Sequence, residues 1–157
     1  MLSVSRRRLY SNHSSGQPVH AATFIRKREI VFDQDLQRHP REFARILIHE
    51  VFHFAWVRMG NPLRRSYAEL LLREWKLRAR GELGWSAEWR KKSLPRRAGR
   101  APSGTLWSEY VCESFCDTAA WVHSRGGKHQ EFTLATRHRE RRAEWFQKTF
   151  QDRGIPI

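Results

Sequence analysis

His49-Glu50-Val51-Phe52-His53 is an H-E-x-x-H sequence, and its chemistry can be worked out from helix geometry alone. On an α-helix, residues at i and i+4 lie one turn apart on the same face, so His49 and His53 can point at one metal ion. Glu50 follows about 100° round the helix, within reach of a water bound to that ion. Zinc lowers the pKa of such a water and polarises a carbonyl. A carboxylate so placed takes the proton as general base and later passes it to the leaving amine. Two histidines leave a tetrahedral ion one protein ligand short, with the fourth position kept for water. So short a motif can arise by coincidence. Against that, two histidines and a glutamate in an otherwise apolar helix are costly unless something binds them.

Candidates for the third ligand lie further along. Glu109, Glu113 and Asp117 recur at four-residue intervals and share one face of a later predicted helix, where three acids need a cation or donors. Glu69 and Glu74 compete from closer in sequence. Cys112 and Cys116 flank Glu113, and thiolates bind zinc well. Cysteine is also among the most buried residue types, so both are expected to be reduced thiols packed in the core. Tyr67, Tyr110 and His123 are candidate donors to the oxyanion of a tetrahedral intermediate. The other histidines, His13, His20, His39, His129 and His138, lack ligand spacing and are expected at the surface.

The elements that must position these groups follow from pattern. Ile30-Val31-Phe32, bounded by Asp33, reads as a short strand. His39 and Pro40 suit the start of a helix, and Phe43, Ile46, Leu47, Val51, Phe52, Phe54 and Ala55 put apolar residues on nearly every face, the mark of a buried helix. Gly60, Asn61 and Pro62 end it. Leu63 to about Arg80 reads as an amphipathic helix. Gly81 to Gly104 lacks a sustained period and is expected to be an irregular or partly ordered excursion, exposed by its charge. A third helix is expected from Ser108, as N-cap, to His123. A last helix runs from about Gln130 to Phe150, with its basic cluster His138 to Arg142 on the wet face. The expected fold is α+β, a helix-dominated single domain over residues 1–157 with a short β-sheet preceding the H-E-x-x-H helix.

Composition narrows the setting. The chain has 157 residues, sized for one domain, and its seven Trp and nine Phe carry enough apolar area for a core. No apolar run of signal-peptide length follows the basic start, and none approaches the ~20 residues of a membrane span, so a cytoplasmic protein is the expectation. The formal net charge is +14; between Arg64 and Arg100, twelve Lys or Arg stand against four Glu, a local net of +8. Such a field attracts nucleic acid, anionic membrane or acidic protein. An alternative to a hydrolase is therefore a nucleic-acid-associated basic protein whose zinc site is structural or catalytically silent. No helix-turn-helix signature or base-stacking pattern supports it, and a structural site has no use for Glu50.

With H-E-x-x-H on one helix and Glu113-x-x-x-Asp117 on a later one, the chain resembles the gluzincin metallopeptidases, of which thermolysin is a familiar member. The resemblance implies a zincin-like fold and an endopeptidase holding one zinc ion on His49, His53 and Glu113, with Glu50 as base. It also implies that Asp117 accepts from the outer ring nitrogen of His49 or His53. The strand just before the motif helix also resembles the small ImmA/IrrE-type metallopeptidases, which cleave transcriptional repressors. In them an edge strand lines the cleft and pairs with extended substrate. The likeness covers roughly Arg28 to Gly60 and Ser108 to His123. It makes about 63–105 a basic insertion, either a lid or a nucleic-acid-binding surface. The partner it implies is a protein or peptide substrate, acidic in character or a DNA-bound regulator.

Overall fold

The structure, a computed structural model, describes residues 2–5, 8–11, 18–95, 101–124, 128–152 and 154–157, with the backbone alone up to residue 19. His13 and residues 96–100 of the basic stretch lie outside the described residues. Short strands come first and α-helices follow. β1 (Leu2–Ser5), β2 (Arg8–Ser11) and β3 (Pro18–Val19) form one antiparallel sheet in that order. β4 (Ala21–Phe24) and β5 (Glu29–Phe32) form a separate antiparallel hairpin in which Thr23 faces Ile30. β5 is the strand expected from sequence. Its partner β4 was not foreseen. The hairpin closes through Lys27 N–H donating to the Phe24 carbonyl at 3.1 Å and Arg28 in the left-handed region, φ 57°. Phe32 then packs on Phe43, ring centres 5.0 Å apart, which seats the hairpin against the first helix.

That helix, α1 (Pro40–Arg58), begins with proline at its first position, where the missing N–H costs nothing. α2 (Asn61–Lys76) follows with almost no linker and ends before Arg80, where Ala79 N–H returns to the Glu74 carbonyl and Arg78 turns left-handed, φ 55°. Next come α3 (Trp85–Ser93), α4 (Gly104–His123) and α5 (Thr136–Phe150). Among the described residues no helix is long and apolar enough to cross a membrane.

Four expectations are corrected. The described part of the 81–104 stretch is not wholly exposed: it contains α3 and buries Glu82, Leu83, Ala87, Lys91 and Leu94. α4 starts at Gly104 and not at Ser108, whose hydroxyl bonds back to the Gly104 carbonyl at 3.1 Å inside the helix. α5 starts at Thr136 and not near Gln130, because the preceding loop is pinned elsewhere: Thr133 and Leu134 donate their N–H groups to the Glu82 carbonyl. Finally, the basic cluster on α5 is not uniformly wet, since His138 and Arg142 are buried.

α4 is the central element. Its Phe115 is fully buried and meets the rings of Trp56 at 5.2 Å, Tyr67 at 5.6 Å and Phe146 at 5.0 Å, joining α1, α2 and α5. Truncating such a phenylalanine typically costs about 3–5 kcal/mol. A second face of α4 closes a buried ionic cluster. Arg142 of α5 donates to Glu74 at 2.6 Å and Glu82 at 2.7 Å, and Lys91 of α3 donates to Glu82 at 2.8 Å. The Tyr110 hydroxyl also donates to Glu82, at 2.6 Å, while Ser114 Oγ accepts from Arg142 at 2.9 Å. Two carboxylates and two cations thus cancel inside the core, where an unpaired charge would be prohibitive.

Candidate metal centre

His49 and His53 lie on adjoining turns of α1 with ring centres 5.0 Å apart. They face α4, which runs against α1 and offers Cys112, Glu113, Cys116 and Asp117 toward them. Ligand atoms of His49, His53 and Glu113 all lie within 4.8 Å of one another, as do those of His53, Cys112 and Cys116. Either group could hold a metal ion. His49 Nε2 lies 3.4 Å from Glu113 Oε2. Of the competing acids, Glu109 and Glu69 are exposed, and Glu74 is committed to Arg142.

Asp117 stands on His49 and not on His53. Its Oδ1 is 2.7 Å from His49 Nδ1, and since a carboxylate only accepts, Nδ1 carries the proton and Nε2 is the free donor atom. Oδ2 accepts the Ala87 N–H at 3.1 Å. Gly84 makes this possible: a Cβ there would sit 2.3 Å from the Asp117 carboxyl carbon, so only glycine lets the chain pass over it. Having no side-chain cap, α3 has its orphan N–H groups met by distant carboxylates: Asp117 at Ala87, and Glu131 at the Trp85 N–H, 3.0 Å away. Arg45 holds Glu131 in turn at 2.9 Å.

Charge around the site is unbalanced toward the negative. Burial disfavours the imidazolium of His49, but Asp117 and Glu113 prevail and hold its pKa well above the ordinary value. Burial likewise disfavours the Glu113 carboxylate, yet the two imidazoles and Arg90 hold it down to about 2. The Cys112 thiol is drawn down to about 6 by its hydrogen bond with Cys116, and His53 adds to the effect. The group as a whole demands positive charge.

Glu50 is buried beside His49, and its Oε2 accepts the Thr23 hydroxyl of β4 at 2.6 Å. A cleft of about 240 Å³ opens over His49 and Glu50, walled by His20 and Ala21 on one side and by Trp85 and Trp89 of α3 on the other. Trp89 is 62% exposed at its mouth.

Several sequence expectations change here. Tyr110 and Tyr67 are sealed in the core, on Glu82 and on Thr118, and His123 rests on Phe52 at 5.3 Å; none of them lines this cleft. His138, expected at the surface, is 1% exposed and lies 3.9 Å from Glu74. Cys116 is buried as expected, but both sulfurs approach His53, so the pair is not only packing. Thr23, Gly84, Ala87 and Arg90 were not anticipated. Arg90, 3.3 Å from Glu113, looks in sequence like any other residue of the basic stretch.

The fold and site together make this a helix-dominated protein with a candidate metal centre between two helices. No family model matches the chain, and no curated protein or solved structure matches it.

Proposed function

We propose that the protein is a zinc-dependent metallopeptidase of zincin-like, gluzincin type, with His49, His53 and Glu113 as ligands and Glu50 as general base. The convergence of these three donors from two helices carries the reading. Their chemistry fits: ligands about 2.0–2.2 Å from a tetrahedral zinc ion are separated by about 3.4 Å. The His49 Nε2 to Glu113 Oε2 separation is 3.4 Å. When bound, zinc supplies Lewis acidity, lowering the pKa of a water and polarising a peptide carbonyl.

The chain's own residues do the rest. Asp117 fixes the His49 tautomer and strengthens its Nε2 as a donor. Thr23 donates to Glu50 Oε2, which leaves Oε1 to take the proton from the attacking water and return it to the departing amine. We assign His20, exposed on the cleft wall, as donor to the developing oxyanion. Trp85 and Trp89 give the cleft an apolar rim suited to a peptide side chain. The substrate is a protein or peptide, acidic segments being favoured by the charge of +14.

Glu50→Gln tests the assignment, because it keeps size and removes the base. Zinc content measured by elemental analysis should be unchanged, while cleavage of unfolded casein and of a mixed peptide pool falls by about 10²–10⁴. Cleavage at the wild-type rate would overturn it.

A further inference from the structure

His53 belongs to two donor sets. Its Nδ1 lies 3.7 Å from Cys112 Sγ and 3.6 Å from Cys116 Sγ, and the three atoms lie within 4.8 Å of one another. Whichever tautomer is present, Nδ1 offers one proton or one lone pair, so one well-aligned hydrogen bond accounts for one of these approaches and not both. A shared cation accounts for both. With metal–sulfur bonds of about 2.3 Å and metal–nitrogen bonds of about 2.0–2.1 Å, tetrahedral ligands stand about 3.5 Å apart. The two cysteines are one turn apart on α4, Cys116 buried and Cys112 half-buried, so the sulfurs are held by the helix itself. A third candidate cluster among the described residues, Glu42, His129 and Glu131, differs in kind: the Arg45 guanidinium already bonds both carboxylates and supplies its cation.

We propose that Cys112, Cys116 and Nδ1 of His53 form a second cation site, rich in thiolate, that shares only His53 with the His49 and Glu113 set. Its chemistry selects a soft or borderline ion such as zinc, cadmium or copper(I). On binding, the two thiols and His53 Nδ1 give up their protons to water, two metal–sulfur bonds and one metal–nitrogen bond form, and no atom changes oxidation state. Because imidazole has two nitrogens, an ion at the thiolate site acts directly on the ligand strength of His53 toward the other set.

The test is cobalt(II) titration of the full chain after chelator treatment, followed by absorbance. The chain has two cysteines, so any thiolate-to-cobalt charge-transfer band must come from this pair. The expected result is such a band in wild type, its loss in Cys112→Ala/Cys116→Ala, and its retention in His49→Ala. Saturation of wild type with cobalt without the band would overturn the proposal, and that result stands whether or not the variants fold. The two metal assignments fail separately. Cobalt bound without the band removes the thiolate site and spares the hydrolytic one. A band with a cobalt stoichiometry that His49→Ala does not lower supports the thiolate site and removes the hydrolytic one.

Discussion

Replacing Asp117 by asparagine should weaken zinc binding and the fold together, for a reason visible in its two contacts. One oxygen takes the His49 Nδ1–H and the other takes the Ala87 N–H. Asparagine has nearly the same shape but only one acceptor oxygen. If that oxygen faces His49, the amide NH2 confronts the Ala87 N–H; if it is flipped, Nδ1 must accept from the amide and His49 takes the tautomer with Nε2 protonated, which cannot bind the ion. With Asp117 2% exposed and Gly84 lying across it, no water can intervene. An unmet buried N–H costs about 1–3 kcal/mol, which for a chain of this size lowers Tm by roughly 2–4 °C per kcal/mol. Loss of the carboxylate behind a ligating histidine weakens metal affinity by about 10–100-fold. Competition against a chromophoric chelator gives the zinc Kd, and calorimetry in excess chelator gives the fold's share alone. A Kd within about twofold of wild type and a Tm within about a degree would refute the role given to Asp117.

Thr23→Val, which removes the hydroxyl on Glu50, should lower kcat/KM by about 10–100-fold, the worth of a hydrogen bond to a charged group, with zinc content unchanged by elemental analysis. Gly84→Ala puts a Cβ 2.4 Å from both Asp117 oxygens and should cost several kcal/mol in urea unfolding while also weakening zinc. Arg142→Met strands Glu74 in the core, leaves Glu82 with Lys91 and Tyr110 alone, and should destabilise by about 3–5 kcal/mol by the same assay. Burial opposes the Glu82 carboxylate, but Arg142 and Lys91 hold its pKa down to about 2 from 4.5. The unfolded chain therefore binds the proton first, and stability on the order of 3 kcal/mol, present above about pH 4.5, is lost as pH falls toward 2. Unfolding of Glu82→Gln in chelator should lack that part of the acid loss.

The H-E-x-x-H pair was legible because both histidines ride one helix and their spacing is local. β5 and α1 were legible for the same reason, each announced by its own apolar pattern. What was hidden depends on how helices cross. That Asp117 meets His49 while the cysteines meet His53 follows from the side on which α4 passes α1, which no spacing within α4 encodes. α3 escaped because its nine residues carry no apolar period; carboxylates from residues 117 and 131, far along the chain, cap its start. Arg142 escaped because its neighbours Arg139 and Arg141 are the same residue type and are not buried. Charge alone could not tell which of them the core would claim.

The two polar faces of α4 differ in what answers their negative charge, and the difference bears on function. On the Tyr110, Ser114 and Thr118 face, Glu74 and Glu82 are matched by Arg142 and Lys91, cations of the chain itself, at contact distances of 2.6–2.8 Å. Nothing needs to enter or leave. On the Cys112, Glu113, Cys116 and Asp117 face, Arg90 reaches Glu113 at 3.3 Å from a side chain 39% exposed, and against the opposing effect of burial the neighbouring acids and thiol raise the pKa of His49 and His53. A fixed guanidinium makes a structural cluster permanent, whereas protons on histidine yield to a metal ion that brings the same charge and better geometry. One helix therefore carries both a closed charge cluster that stabilises the fold and a set of donor groups that could hold a metal ion. The rigidity supplied by the first holds the donors of the second in place.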